Sequence, residues 1–235
     1  MSADVLRLGC GLLIAAVSHS AVAKDELWPR LKAQSNLHHI QHPRIKVWEQ
    51  HWRRRSTELR VILEHRGHWL YPVLDELARR QLPAELAVIP IIESKLRTEA
   101  RSSRDAYGLW QLRPKTAAYL GLRMDEWVDE RAHPLLATRA GLNYLEHLHE
   151  RFGSWPLTLA AYNAGQGRVS RAIRAARSHG GDPGYWSLDL PQESQDYVPK
   201  ILALARVLAD SRGMRLPFVD PSQRPRAITT DGPVN

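Results

Sequence analysis

Apolar positions recur along this chain at helical spacing. Leu70, Val73, Leu74 and Leu77, led in by Trp69, fall at i, i+3, i+4 and i+7, as do Leu86, Ile89, Pro90 and Glu93, while Tyr197, Ile201, Leu204 and Leu208 continue one stripe over three turns. Pro43, Pro83, Pro114, Pro134, Pro156 and Pro191 each stand near the start of such a segment, where a missing N–H costs nothing. Gly121, Gly153 and Gly165 stand near segment ends as C-cap candidates. No alternating apolar–polar run is long enough to predict a strand, so the pattern predicts a mostly α fold. Lys95 to Asp105 is the longest polar stretch inside it and predicts a loop, the kind of segment that carries function.

Both ends break the pattern. Arg7 precedes an apolar run from Leu8 to Val17, and Ala21-Val22-Ala23 supplies an A-x-A cleavage pattern, so residues 1–23 read as a signal peptide and the mature chain as periplasmic or secreted. The apolar run is about half of the ~20 residues that span a bilayer. Cys10, the sole cysteine, lies inside that run with Leu12 to Val17 after it, so a lipid anchor on it is not expected and the mature chain has no disulfide. After Gly213 come Pro217, Pro221, Pro225 and Pro233 with few large apolar residues, which predicts disorder over 213–235. Between lies one domain, 43–212, preceded by an extension, 24–42, with no repeat and no internal linker.

The chain has 235 residues, 43% hydrophobic and 25% charged, values that exclude wholesale disorder and a polytopic membrane protein. Its 33 Lys and Arg against 25 Asp and Glu leave a formal +8. A polyanionic partner follows, but charge alone does not choose between nucleic acid, an anionic membrane surface and an acidic wall polymer. The cluster Arg53-Arg54-Arg55 reads as a solvated helix face, and no nucleic-acid partner is expected of an exported chain. The pairs His38-His39, His65/His68 and His147/His149 lack a His-Glu-x-x-His arrangement, so no metal is expected. Gly165-Gln166-Gly167 lacks the third glycine and preceding strand of a phosphate cradle, and no cofactor is expected.

Glu93 is the residue out of place. It shares an apolar stripe with Leu86 and Ile89 on a segment opened by Pro83. It is either a helix-end glutamate in solvent or a carboxyl held against an apolar wall, where the anion is disfavoured and the group keeps a proton near neutral pH to give to a leaving oxygen. Pro90 is expected to kink the helix that carries it.

Around Glu93 the chain resembles a known family. Leu82-Pro83-Ala84-Glu85-Leu86 leading into Ile92-Glu93-Ser94, then Tyr107-Gly108-Leu109-Trp110-Gln111, Ala161-Tyr162-Asn163-Ala164-Gly165 and Asp196-Tyr197-Val198-Pro199-Lys200 are similar, in order, to the motifs of lytic transglycosylase catalytic domains of glycoside hydrolase family 23. The likeness is greatest to the membrane-bound murein transglycosylase D type. The resemblance implies a lysozyme-like helical fold and cleavage of peptidoglycan glycan strands between N-acetylmuramic acid and N-acetylglucosamine. It implies Glu93 as the single acid and base, Ser102 and Asn163 as contacts to the sugar, Gln111 and Tyr162 in the cleft, and Tyr197 beside the carboxylate. Each residue also has a plain reading: Ser102 as a turn residue, Gln111 as a cap, Asn163 as a helix end, Tyr162 and Trp110 as packing, and Tyr197 as core. The loop departs from the family in being basic at Lys95, Arg97, Arg101 and Arg104. These side chains either pair with carboxylates of the peptide stems or form a solvated face, and weak electrostatic association with wall or membrane is expected of the chain as a whole.

Three functions follow from these residues: a transglycosylase, a muramidase that uses water on the same bond, and a non-catalytic glycan- or nucleic-acid-binding protein on the same helices. The resemblance supplies one catalytic carboxylate, Glu93, and Glu99 and Asp105 match no catalytic position. With one carboxylate, the muramyl N-acetyl group is expected to assist, and the C6 hydroxyl to close a 1,6-anhydro ring in place of water.

Overall fold

The computed structural model describes residues 27–210, 217, 219, 220 and 222, so the expected signal segment and most of the expected tail lie outside the described residues. Among the described residues it is helical with no strand, as the periodicity predicts. The helices are α1 (Leu27–Ala33), α2 (Pro43–Arg54), α3 (Ser56–Arg66), α4 (Leu70–Arg79), α5 (Ile89–Ser94), α6 (Pro114–Tyr119), α7 (Pro134–Phe152), α8 (Trp155–Ala164), α9 (Gln166–Ser178) and α10 (Gln192–Ala209). Pro43, Pro114 and Pro134 open their helices, Pro156 is second in α8, and Pro191 immediately precedes α10. Gly153 closes α7 at φ 65°, a left-handed turn that a side chain would strain.

One segment departs from the sequence pattern. The helix expected to run from Pro83 through Glu93 is instead a 3-10 turn, Ala84–Val88, followed by α5 from Ile89. Pro90 has no N–H for the carbonyl of Leu86, four residues back, so an α-ladder cannot pass through it. The amide of Ile89 bonds that carbonyl in 3-10 fashion, and Pro90 sits harmlessly in the first turn of α5 instead of kinking a longer helix. The stripe survives the change: Leu86 and Ile89 are fully buried, and Glu93 falls in the last turn of α5.

Helix α10 runs through the middle of the molecule, packed by α1, α2, α8 and the Ala84–Val88 turn. Val198, Ile201, Leu202, Leu204, Val207 and Leu208 are all buried, so it is apolar nearly all round. Pro199 leaves the carbonyl of Gln195 without its helical donor. The hydroxyl of Tyr185 takes its place, donating to Gln195 at 2.7 Å and to Ser194 at 3.0 Å.

The boundary expected at Pro43 is not a boundary in the packing. Leu27, Leu31 and Leu37 belong to the same core, and the buried carboxylate of Glu85 accepts the amides of Asn36 (3.1 Å) and Leu37 (2.6 Å). The tail expected to be disordered also contributes at its described positions. The indole of Trp28 donates to the Pro217 carbonyl at 3.0 Å and the hydroxyl of Tyr71 to that of Val219 at 2.7 Å, while Val219 is buried against Gly67. An apolar residue with a core position to fill overrides the polar, proline-rich composition around it.

Candidate active site

The last turn of α5 brings Glu93 to a cleft of about 850 Å³. Its helix ends there because Lys95 (φ 53°) and Leu96 (φ 59°) both turn left-handed, and Leu96 is then fully buried, which anchors the turn. Ser94, also buried, bridges the carbonyls of Pro90 and Leu109 at 2.9 Å each, tying α5 to the Gly108-Leu109-Trp110-Gln111 segment.

Glu93 opens partly onto the cleft, yet its surroundings are dense enough that burial pushes its carboxyl up to about 7. The hydroxyl of Tyr197, from the first half of α10, donates to its Oε1 at 2.5 Å and works the other way, favouring the anion, while the charge of Glu193 adds to the rise. Burial, with the charge of Glu93 beside it, holds the phenol of Tyr197 well above its ordinary value, and the same causes act on Tyr162. Both phenols therefore stay donors at any physiological pH.

Five of the six residues singled out in the sequence line this one cleft: Glu93, Ser102, Gln111, Tyr162 and Asn163; Tyr197 stands behind them, bonded to Glu93. Asn163 Oδ1 accepts from Ser194 at 2.7 Å, which leaves its amide N–H groups for a ligand. Ser102 Oγ accepts the amides of Arg104 (3.2 Å) and Ala106 (3.0 Å), so it holds the turn and still has a hydroxyl proton to offer. The Gln111 amide is largely engaged, Nε2 donating to the carbonyls of Ala100 (2.8 Å) and Gly108 (2.9 Å), so its oxygen is what remains for the cleft. Tyr162 donates to the Trp110 carbonyl at 2.7 Å and presents its ring beside Tyr144. Trp110 itself is fully buried, donating to Thr138 at 3.0 Å with its ring against Gly141, so it packs and does not stack on a ligand.

The basic loop is used differently from what its sequence suggests. Lys95 pairs with Glu58 (2.7 Å), and Arg101 with Asp105 (3.3 Å) while lying over the ring of Tyr107. Only Arg104 of the four lines the cleft, where Arg113 and Arg168 join it from outside the loop. Glu99 and Asp105 do not line it either; the second carboxylate in the cleft is Glu193. Its signal was present in the sequence, since it lies four residues before Tyr197 on the same helix face. Arg131 was missed too. It is 4% exposed, grips Asp129 with a fork (2.9 and 2.7 Å) and donates to the carbonyls of Asp105 and Leu112, closing the loop that carries Ser102 and Gln111. Among the described residues no group of three or more His, Cys, Asp or Glu is placed to hold a metal ion.

The family model of the Transglycosylase SLT domain matches residues 75–183, a stretch that holds Glu93 and four of its cleft companions. The chain carries a transglycosylase SLT domain. The chain is 34% identical over 219 residues, 92% of its length, to the membrane-bound lytic murein transglycosylase D of Escherichia coli K12, of which this covers 48%. It is 41% identical over 133 residues to a putative tributyltin chloride resistance protein of Alteromonas, covering 56% of this chain and 64% of that one. The chain thus spans about half the length of the murein transglycosylase D it matches. Among solved structures it is similar to an inactive mutant of the lytic transglycosylase Slt of Pseudomonas aeruginosa, 27% identical over 69% of this chain and 26% of that one with a TM-score of 0.47. Tyr197 lies beyond the matched stretch, so the SLT domain draws a partner for Glu93 from α10, outside its own match.

Proposed function

We propose that this chain is a peptidoglycan lytic transglycosylase that works outside the cytoplasm, with Glu93 as its acid and then its base. The observation that carries the reading is a carboxyl held up to about 7 on an apolar stripe, bonded by Tyr197 and open to a cleft of about 850 Å³. A carboxylic acid still protonated near neutral pH can give its proton to the glycosidic oxygen as the C1–O bond breaks. The carboxylate left behind then takes the proton of the muramyl C6 hydroxyl as that oxygen bonds C1, a closure favoured over attack by water because it is intramolecular. Ser102 and Asn163 hold the sugar, the Gln111 oxygen and Tyr162 shape the wall, and Tyr197 fixes the carboxylate. The names of the murein transglycosylase relatives support this substrate class, and the export pattern at residues 1–23 supports the compartment, which need involve no spanning helix: no helix among the described residues is long and apolar enough to cross a membrane.

Glu193 favours a second reading, in which it serves as base for water and the protein is a muramidase. Mass analysis of sacculus digests separates the two. A transglycosylase leaves 1,6-anhydromuramic ends, one water lighter than hydrolysis products and without a reducing end. Mainly reducing muramic ends overturn the proposal in favour of hydrolysis.

A further inference from the structure

Helix α9 leaves the cleft carrying a row of arginines that the reaction does not use. Arg168 lines the cleft, and Arg171, Arg174 and Arg177 follow at three-residue intervals, all four exposed. At 1.5 Å per residue the row runs about 14 Å outward from the cleft. Steps of three residues set these side chains on one inclined ridge, and over three steps the ridge sweeps the half of the helix opposite its packed face. That packed face is Val169, Ala172, Ile173 and Ala176, with Val169 fully buried. The helix has no acidic residue, and among the described residues none of the four arginines has a carboxylate partner. Four like charges in neighbouring positions destabilise a helix unless something outside it neutralises them.

We infer that this ridge is a docking track for the carboxylates of the peptide stems on a glycan strand that extends beyond the cleft. The inference rests on the peptidoglycan reading and adds to it where the strand runs. Two observations select this occupant. The track is continuous with the cleft through Arg168, which lines the same cleft as Glu93. A lipid surface is the poorer match, because the exposed large apolar side chains, Val47, Val61, Tyr119 and Trp127, all lie off α9, and nothing on the ridge enters a bilayer. Arginine suits the role, since its planar fork meets a carboxylate with two parallel bonds.

The test uses the full chain with Glu93→Gln, so that binding is read without digestion. Sedimentation is measured with intact sacculi, with sacculi whose stem carboxylates are capped as amides by carbodiimide and ammonia, and with phosphatidylglycerol vesicles. R171Q/R174Q/R177Q is expected to bind intact sacculi about tenfold more weakly, as three exposed pairs worth about twofold each combine. On amide-capped sacculi it should match its parent. The R171K/R174K/R177K protein keeps charge and should retain most of the affinity. Exposed Gln and Lys are good helix formers, and an unchanged circular dichroism spectrum verifies the fold. Equal binding of parent and Gln variant to intact sacculi, an equal loss on amide-capped sacculi, an equal loss in the Lys variant, or a loss confined to vesicles each overturns the inference. A parent that sediments with neither kind of sacculus overturns the peptidoglycan reading itself, and this track with it.

Discussion

At the scale of the residue, Glu93 states its own energetics. Between the ordinary 4.5 and about 7 the folded chain keeps a proton that the unfolded chain has released, so stability falls as pH rises through that window and is lowest above it. Glu93→Gln removes this penalty while leaving an acceptor for Tyr197. The variant should match its parent near pH 4.5 and exceed it at pH 8 by up to about 3 kcal/mol, read from thermal unfolding at the two pH values. Its turnover of sacculi should drop by at least the ~10²–10⁴-fold attributed to general acid–base catalysis. A folded variant with near-parental digestion would remove Glu93 from the mechanism. Its two polar neighbours make opposite predictions. Tyr197 stabilises the anion and Glu193 opposes it, so Tyr197→Phe should move the alkaline limb of the activity profile to higher pH and Glu193→Gln to lower pH. Limbs that move together, or not at all, contradict this assignment of causes.

At the scale of the element, what could be read from the sequence was whatever repeats along one segment. The helices of Leu70 to Leu77 and Tyr197 to Leu208 follow their stripes, and the prolines mark starts, because burial of one face is a local, periodic property. The loop at Lys95 to Asp105 was also legible, but not what its arginines do. Whether Arg101 meets a ligand or Asp105 and Tyr107 depends on the fold of the loop, and nothing in its composition reports that. Beyond its neighbour Asp129, Arg131 had no local signal for its clamp, since its partners at Asp105 and Leu112 are 26 and 19 residues away. It nevertheless holds the wall of the cleft. Arg131→Lys keeps the charge but cannot span Asp129 and two carbonyls with one ammonium, and it leaves buried acceptors unpaired. Stability should fall by about 2–4 kcal/mol in urea unfolding, and turnover should fall while the pH profile keeps its position, because Arg131 does not touch Glu93. An undiminished urea midpoint would show that the loop stands without its clamp.

At the scale of the whole molecule, the site depends on segments far outside the stretch that carries the family match. Tyr197 reaches Glu93 from α10, α10 is packed by α1, and the linker after α1 is held by Glu85, just upstream of α5. The family resemblance, which covers roughly Pro43 to Arg212, suggested cutting the chain there, and the tail beyond is poor in large apolar residues. A handful of leucines is enough to override composition when each fills a core position. Leu27, Leu31 and Leu37 are each at most 4% exposed, and burial of such a side chain contributes roughly 1.5–3 kcal/mol. Three of them approach the ~5–15 kcal/mol that holds a whole domain together. Removing residues 1–42 also strips Glu85 of both its amide donors and leaves a buried carboxylate uncompensated. Deleting 213–235 takes away the acceptors of Trp28 and Tyr71 and uncovers Gly67. The fragment 43–212 is therefore expected to lose cooperative thermal unfolding and near-ultraviolet circular dichroism, although it keeps every residue of the cleft. Deletion of 213–235 alone should lower the midpoint without abolishing the transition, because one valine and two hydrogen bonds are a smaller loss than three leucines and a buried charge. A fragment 43–212 that unfolds as sharply as the full chain would mean that the core closes without α1, and that the boundary at Pro43 is real.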